Sequence, residues 1–262
     1  MSVTVKPVRI PDFLEKKRRG ERIAVLTAYD ATMARLIDRA GVDAILVGDS
    51  LGMVVMGHET TLEVTMDVMV HHTRSVANGT RHAAVIADMP FLSYQTSVAD
   101  AVRNAGRLLG EGHAAAVKLE GGRAMVETVA RLVDVGIPVM GHIGMTPQSV
   151  HRLGGHQKLG MSEAERLLEE AKLLERAGVF SIVLEQIPSE AAAAITKAVR
   201  VPTIGIGAGP DCDGQVLVSY DALGLFDEFV PPFVKHYAKL GEEVVRAAAE
   251  YAAEVRDGRF PK

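Results

Sequence analysis

A repeated unit of helix, glycine and short apolar run constrains the fold of this chain more than any other sequence feature. The unit occurs five times, and each apolar run stops at a polar residue. The runs are residues 44–49, 83–88, 114–120, 137–142 and 181–185, and the glycines before them are Gly41, Gly79, Gly112, Gly136 and Gly178. Near-continuous apolar runs of this length between helices are typical of parallel strands that are buried on both faces.

Three further runs bring the number of candidate strands to eight: residues 22–27, 201–206 and, more weakly, 226–230. Eight strands alternating with helices over about 250 residues is the size of a (β/α)8 TIM barrel. We therefore predict an α/β fold of this type, with residues 1–20 as a short N-terminal helical arm. An open, doubly wound sheet is the alternative. No Gly-x-Gly-x-x-Gly motif follows the first strand, which disfavours its dinucleotide-binding version.

Composition narrows the classes of protein. The 262 residues contain no low-complexity linker, so we expect one domain over residues 1–262. A net charge of −4 disfavours a nucleic-acid binder that relies on overall positive charge. No apolar stretch approaches the length of a membrane span, and residues 1–20 lack the apolar core of a signal peptide. The single cysteine, Cys212, excludes internal disulfides and suits a cytoplasmic protein.

Polar residues end five of the predicted strands. In a barrel the carboxyl ends of the strands form one mouth, so we expect these side chains to converge: Asp49, Asp88, Glu120, His142 and Glu185. One acidic residue after a strand is often a helix N-cap. Four carboxylates together repel one another, and they are stabilised by sharing protons or by binding a cation. Oxygen ligands favour a hard cation such as Mg2+. The residues thus predict a divalent-metal enzyme without naming its reaction.

Two weaker features each keep two interpretations. Lys118 precedes Glu120 by two residues, so both point into the predicted barrel. A buried lysine needs an anion, which is either a substrate carboxylate or a structural carboxylate partner. The glycine-rich segment 205–209 follows the seventh strand, where it either cradles a phosphate or forms a tight turn.

Several motifs, in order along nearly the whole chain, resemble the ketopantoate hydroxymethyltransferase family. The motifs are Leu26-Thr-Ala-Tyr-Asp30, Leu46-Val-Gly-Asp-Ser-Leu-Gly-Met53, Ala87-Asp-Met-Pro-Phe91, Lys118-Leu-Glu-Gly-Gly122, Gly141-His-Ile-Gly-Met-Thr-Pro-Gln148, Gly205-Ile-Gly-Ala-Gly209 and Asp213-Gly-Gln215. The chain departs from the family at Met89, where leucine is usual, and at Glu59 and Glu63, where Asp and Pro are expected. None of these departures changes a strand-end carboxylate.

The resemblance implies a (β/α)8 barrel that uses Mg2+ in pantothenate biosynthesis. It implies transfer of a hydroxymethyl group from 5,10-methylenetetrahydrofolate to 3-methyl-2-oxobutanoate, which gives 2-dehydropantoate and tetrahydrofolate. It also implies a cytoplasmic homodecamer. By matching motifs, the implied metal residues are Asp49, Asp88 and Glu120, the last bound directly or through water. The implied substrate-binding residues are Asp49, Ser50, Asp88 and Lys118, the implied general base is Glu185, and His142 lies near the substrate.

Two competing functions belong to other classes. The first is another Mg2+-dependent barrel enzyme for 2-oxo acids, of the phosphoenolpyruvate mutase or isocitrate lyase type. Those lyases use a cysteine-bearing loop, and Cys212 lies in no such motif. The second is a barrel that binds a metal or ligand without catalysis, which the convergence of four carboxylates with Lys118 disfavours.

Overall fold

Eight parallel strands form a closed barrel in the computed structural model, which describes residues 6–155, 158–228 and 231–261. Each strand pairs with the next one along the chain. The strands are β1 (Ile23–Thr27), β2 (Ala44–Val47), β3 (Ala84–Asp88), β4 (Ala116–Glu120), β5 (Val139–Gly144), β6 (Ser181–Glu185), β7 (Thr203–Ile206) and β8 (Gly214–Leu217). The predicted (β/α)8 barrel is confirmed, and the open doubly wound sheet is wrong.

Helices precede and connect these strands. They are α1 (Ile10–Arg19), α2 (Ala31–Arg39), α3 (Leu51–Val54), α4 (Met66–Gly79), α5 (Val98–Gly110), α6 (Val126–Asp134), α7 (Val150–Leu153), α8 (Ala164–Ala177), α9 (Ser189–Ala198), α10 (Ser219–Ala222) and α11 (Leu240–Arg256). Short 3-10 turns cover Thr61–Glu63, Arg123–Met125, Pro147–Ser149 and Met161–Glu163.

The eighth strand was predicted in the wrong place. Residues 226–228 form no strand, and 229 and 230 lie outside the described residues. The eighth strand is β8, whose residues 214–217 follow the end of β7 after only seven residues without a helix. Our prediction assumed a helix between every pair of strands, as parallel crossovers usually require. The connection between β7 and β8 is too short for a helix, so the eighth strand begins earlier in the chain than predicted.

The N-terminal helix packs where the strands begin. Phe13 of α1 is fully buried in a core cluster with Ile23 and Ala116, the first residues of β1 and β4. Its ring meets Phe180 edge to face, with 5.2 Å between ring centroids. Helix α1 confirms the predicted helical arm within the described residues. Because it packs at the starts of the strands, it leaves their carboxyl ends to the site described below.

The described residues up to Val216 form one compact unit, and those from Leu217 onward form a second. The first unit contains strands β1 to β7 and every strand-end residue named above. The second contains α10 and α11, and no residue of α11 is buried. The single domain expected from composition stays a prediction. Within the described residues, no helix has the length and apolar character needed to cross a membrane.

Candidate active site

The period of two along each strand places the polar strand ends inside the barrel. Core residues alternate with outward ones, and the inward set includes Ile86 of β3, Ala116 of β4, Met140 of β5 and Val183 of β6. Two residues further along each strand, the inward set continues as Asp88, Lys118 with Glu120, His142 and Glu185. In the structure these side chains converge at one barrel mouth, as predicted.

Asp88 joins the end of β3 to the loop after β2. Its Oδ2 accepts a hydrogen bond of 3.2 Å from the backbone N–H of Asp49. Gly48 lies beside this contact, since a Cβ there would be 3.5 Å from Asp88 Oδ2 and would crowd Ser50 Oγ at 2.7 Å. Both aspartates are buried, at 4% exposure for Asp49 and 3% for Asp88. Two residues that are 39 positions apart therefore share one enclosed site.

Lys118 is the cation of this acidic site. Its Nζ lies 2.7 Å from Oδ1 of Asp88, and both side chains are buried. Burial alone would lower the pKa of Lys118, but the charges of Asp88, Glu120 and Asp49 outweigh it and raise the pKa. Lys118 is therefore a permanent ammonium group. The structure supplies the carboxylate partner, while contact with a substrate carboxylate stays a prediction.

The remaining carboxyl groups carry more negative charge than Lys118 can balance. Burial, and then the charge of Asp88, raises the pKa of Asp49 to about 7. Burial, and then the charge of Asp49, raises the pKa of Glu120 well above its usual value. Groups of this kind hold a proton or attract a cation. The crowding of carboxyl groups predicted from the strand ends therefore raises the pKa of Asp49 and Glu120, as expected.

His142 connects Lys118 to Glu185. Its Nδ1 lies 3.4 Å from Lys118 Nζ, and its Nε2 lies 3.3 Å from Glu185 Oε2. Burial, and then the charge of Lys118, lowers the pKa of His142 well below its usual value, so the imidazole is neutral. Nδ1 also lies 3.6 Å from Glu120 Oε1. Nε2 is buried and makes no hydrogen bond within the described residues, so its approach to Glu185 is a close contact only.

The backbone at the end of β5 holds Glu185 in place. Met145 N–H donates 2.9 Å to the carbonyl of Glu185, and Gly144 lies opposite Glu185 in the strand register. Gly144 has a φ of 110°, and a Cβ there would collide with the Glu185 carbonyl. The Glu185 side chain is 13% exposed beside the fully buried Leu184 and Ile187. Leu184 faces the opposite side of β6, while the Glu185 carboxylate shares the barrel mouth with His142 and Asp49. The carboxylate is therefore not in the wholly apolar setting that its sequence neighbours predicted.

Ser50 lies at the edge of the same space. Its Oγ is 2.9 Å from the hydroxyl of the buried Tyr29, which follows β1. A Cβ on Gly48 would lie near both Ser50 Oγ and Asp88 Oδ2, so the serine hydroxyl and the Asp88 carboxylate lie close to one another.

Sequence reasoning missed Gln148 and Tyr94. Gln148 Nε2 donates 2.8 Å to Asp49 Oδ2 and 3.0 Å to the carbonyl of Met89, while its backbone N–H donates 3.0 Å to Glu120 Oε2. Tyr94 OH accepts 3.0 Å from Glu120 N–H and donates 2.7 Å to Gln148 Oε1. Both residues lie inside or just after motifs quoted above. They come from loops, however, where no alternation of side chains predicts which way a residue points.

The donor set fits Mg2+. Among the described residues, no three His, Cys, Asp or Glu side chains converge closely enough to enclose a metal ion by themselves. Mg2+ is usually bound through one or two carboxylates, with waters and substrate oxygens completing its ligands. Asp49 and Asp88 are such a pair, and Glu120 lies behind them, joined to Asp49 through Gln148. Excess buried negative charge next to an open mouth suits a hard cation.

Two other features stay outside this site. Gly205 packs against Cys212, since a Cβ there would lie 2.9 Å from the Cys212 Sγ. Gly209 has a φ of 85° and abuts Ser189. These contacts favour the tight-turn interpretation of segment 205–209 over a phosphate cradle. Cys212 is fully buried and burial raises the pKa of its thiol, so it offers no exposed nucleophile.

Comparison with protein families gives a match over most of the chain. Residues 7–262 match the family model described as ketopantoate hydroxymethyltransferase. The chain is 59% identical over 256 residues to the 3-methyl-2-oxobutanoate hydroxymethyltransferase of Moorella thermoacetica, covering 97% of this chain and 95% of the relative. It is 55% identical over 262 residues to the enzyme of that name from Pelobacter propionicus, covering 100% and 97%.

Solved structures with this fold are more distant in sequence. Phosphonopyruvate hydrolase in complex with oxalate and Mg2+ has a TM-score of 0.64 at 14% identity, covering 96% of this chain and 88% of that one. The 2,3-dimethylmalate lyase, a member of the PEP mutase/isocitrate lyase superfamily, has a TM-score of 0.61 at 16% identity, covering 95% and 88%. At such identities the likeness concerns the fold alone.

Proposed function

Because this chain belongs to the ketopantoate hydroxymethyltransferase family, we propose that its site transfers a hydroxymethyl group from 5,10-methylenetetrahydrofolate to 3-methyl-2-oxobutanoate. The chain is a transferase, and its place is in pantothenate biosynthesis. The products are 2-dehydropantoate and tetrahydrofolate. One observation carries the proposal: Asp49, Asp88, Glu120 and Lys118 are all buried at one mouth of the barrel, beside Glu185.

Asp49 and Asp88 would hold Mg2+, with Glu120 acting directly or through water. When bound, Mg2+ supplies a Lewis acid that stabilises negative charge developing on the substrate's 2-oxo oxygen. Asp88 would remain fixed between Lys118 and the backbone of Asp49, at 2.7 and 3.2 Å. This rigidity keeps the two carboxylates in place before any ligand arrives.

Glu185 would remove the proton from C3 of 3-methyl-2-oxobutanoate. The C3–H bond lies next to a ketone, so breaking it leaves an enolate. C3 then bonds the one-carbon unit of the folate, both C–N bonds of that unit break, and one water supplies the hydroxyl oxygen. The proton from C3 and the second proton of that water end on the two folate nitrogens. Glu185 is largely buried and lies only 3.3 Å from neutral His142. The His142 ring would limit the positions open to the carboxylate and so keep it directed toward the substrate.

Ser50 and Lys118 would hold the substrate carboxylate. Ser50 lies close to Asp88, and Tyr29 keeps its hydroxyl in place at 2.9 Å. Lys118 is buried and cationic, so it would stabilise an anion placed beside it. Its ion pair with Asp88 orients the ammonium group toward the metal position as well.

The alternative 2-oxo-acid mutase or lyase is not favoured. The relatives at 59% and 55% identity carry the hydroxymethyltransferase name, whereas the hydrolase and lyase structures share 14% and 16% identity. Cys212, the one cysteine of the chain, is fully buried. It is therefore unlike the reactive loop cysteine of those lyases.

Solvent deuterium exchange at C3 of 3-methyl-2-oxobutanoate tests this function. The protein should catalyse exchange with Mg2+ and without folate, and exchange should fall to background with EDTA. Product formation should in addition require methylenetetrahydrofolate. Exchange without any folate-dependent product would contradict the transferase reaction, while lyase turnover of a 2-oxo acid would favour the alternative.

We further propose that the protein is a cytoplasmic homodecamer that acts on a small molecule and on no nucleic acid or membrane. The family resemblance supports the decamer. The net charge of −4 and the single cysteine suit such a location and substrate. Light scattering coupled to size exclusion measures the assembly directly, and a monomer at micromolar concentration would contradict it.

A further inference from the structure

Gln148 lies at the barrel mouth and has no role in the function proposed above. Its side chain nevertheless makes four hydrogen bonds there. It lies in the turn Pro147–Ser149 after β5 and is 7% exposed. Its amide nitrogen donates to Asp49 Oδ2 and to the carbonyl of Met89, at 2.8 and 3.0 Å. Its amide oxygen accepts from Tyr94 OH and Gln95 Nε2, at 2.7 and 3.1 Å. Both donors and both acceptor positions of this amide are therefore used.

The orientation of the amide is determined by its partners. Asp49 Oδ2 and the Met89 carbonyl can only accept, so the nitrogen must face them. The Tyr94 hydroxyl accepts 3.0 Å from Glu120 N–H, and its single proton has two acceptors within reach, Gln148 Oε1 at 2.7 Å and the Glu120 carbonyl at 3.1 Å. A reversed amide would place its oxygen against two acceptors. The amide nitrogen therefore faces Asp49 and Met89, and the amide oxygen faces Tyr94.

This arrangement connects carboxylates rather than merely filling space. The side chain of Gln148 bonds the Asp49 carboxylate, and its backbone N–H bonds the Glu120 carboxylate at 3.0 Å. Its contacts come from the loops after β2 and β3 and from the end of β4.

We propose that Gln148 is a positioning residue that holds the Asp49 carboxylate in its metal-binding orientation and couples it to Glu120. This inference rests on the metal site of the proposed function. With one lone pair of Oδ2 bonded to Gln148, Asp49 keeps Oδ1 for the cation. Loss of the amide leaves a buried carboxylate oxygen without its donor, so Asp49 turns toward another donor and loses this orientation.

The experiment is a titration of metal-free protein with Mn2+, followed by electron paramagnetic resonance of the unbound ion. Gln148→Met keeps the length of the side chain and removes its hydrogen bonds. It should weaken Mn2+ binding by about 10- to 100-fold, the usual effect of removing a partner of a metal ligand. Gln215→Met is the matched control, because Gln215 is exposed and, among the described residues, its side chain bonds the Gly209 carbonyl alone, at 2.9 Å. It should retain wild-type affinity.

A second variant decides the matter if Gln148→Met does not fold. Tyr94→Phe removes the hydroxyl that directs the amide and should weaken Mn2+ binding by about 2- to 10-fold, the effect of one hydrogen bond. Wild-type affinity in folded Gln148→Met, or in Tyr94→Phe if only that variant folds, overturns the proposal. A lower unfolding midpoint with unchanged Mn2+ affinity assigns Gln148 a structural role and also overturns it.

The same titration separates this proposal from the reaction. If wild-type protein binds Mn2+ but forms no 2-dehydropantoate, the proposed function fails. The role of Gln148 in metal binding is then still tested by the Mn2+ affinities of its variants. If wild-type protein binds no Mn2+, the metal site fails and the role of Gln148 fails with it.

Discussion

Nε2 of His142 lies 3.3 Å from Oε2 of Glu185, while Nδ1 on the other side of the ring lies 3.4 Å from Lys118 Nζ. The imidazole therefore separates a permanent cation from the proposed base. Neutral His142 contacts Glu185 without adding positive charge to the site. This relationship makes Glu185 the residue on which the proposed chemistry is tested most directly.

Glu185→Gln should lower C3 exchange of 3-methyl-2-oxobutanoate by at least about 100-fold, since general-base removal typically costs 10²–10⁴-fold. The variant keeps size and hydrogen bonding, so near-ultraviolet circular dichroism and Mn2+ affinity should match wild type. The measurement is deuterium exchange without folate. A glutamine variant that exchanges at the wild-type rate but makes no product would assign Glu185 to a later step and leave His142 as the next candidate for the base.

Asp49→Asn and Asp88→Asn should both abolish Mg2+-dependent turnover, but they should differ in stability. Asp49 adds unfavourable charge to a buried site, so its neutral replacement should leave the unfolding midpoint unchanged or higher. Asp88 is the direct partner of Lys118 at 2.7 Å, so its loss leaves a buried ammonium less well compensated and should lower the midpoint. Thermal unfolding with activity at saturating Mg2+ measures both effects. Full activity in either variant contradicts the metal assignment.

Lys118→Ala should raise the KM for 3-methyl-2-oxobutanoate by about 10-fold or more, because a charge-assisted bond to the substrate carboxylate is lost. Initial rates over a range of substrate concentrations separate KM from kcat. An unchanged KM with a lower kcat would show that Lys118 serves Asp88 and the metal position rather than the substrate.

The stability of the metal-free protein should depend on pH through Asp49. Its pKa is about 7 in the folded protein, above the ordinary value of 3.8, so the folded state binds the extra proton between these limits. The contribution of Asp49 to stability is therefore present below about pH 4 and is lost as pH rises to about 7. Mg2+ should then raise the unfolding midpoint more at pH 8 than at pH 5. Asp49→Asn should remove most of this difference, and an equal Mg2+ effect at both values would contradict the assignment.

Gly144→Ala should destabilise the protein and reduce C3 exchange, because its Cβ would collide with the Glu185 carbonyl. Gly136→Ala is the matched control, since Gly136 also has positive φ, at 89°, but no atom lies within 4 Å of its added Cβ. The control should lose only about 1–2 kcal/mol of stability, the cost of the left-handed backbone, and should keep wild-type exchange. Equal effects of the two substitutions would show that the contact with Glu185 is unimportant.

Local patterns in the sequence determined the barrel and most of its acidic mouth. Seven strands were predicted within three residues at each end, because buried parallel strands are continuous apolar runs. Asp88, Lys118, Glu120 and Glu185 could be placed inside the barrel because side chains alternate with a period of two along a strand. Their type and position required no knowledge of which strands are neighbours.

Tertiary structure alone decided what these side chains contact. The eighth strand follows the seventh without a helix, so no helical pattern in the sequence indicates where it begins. Gln148 and Tyr94 reach the site from loops, and loops have no period that predicts direction. The pairing of Lys118 with Asp88, and of His142 with Glu185, depends on the register between neighbouring strands, which brings residues 30 and 43 positions apart within 3.3 Å. Sequence period determines which face a side chain occupies, whereas strand register determines its partner and so its charge.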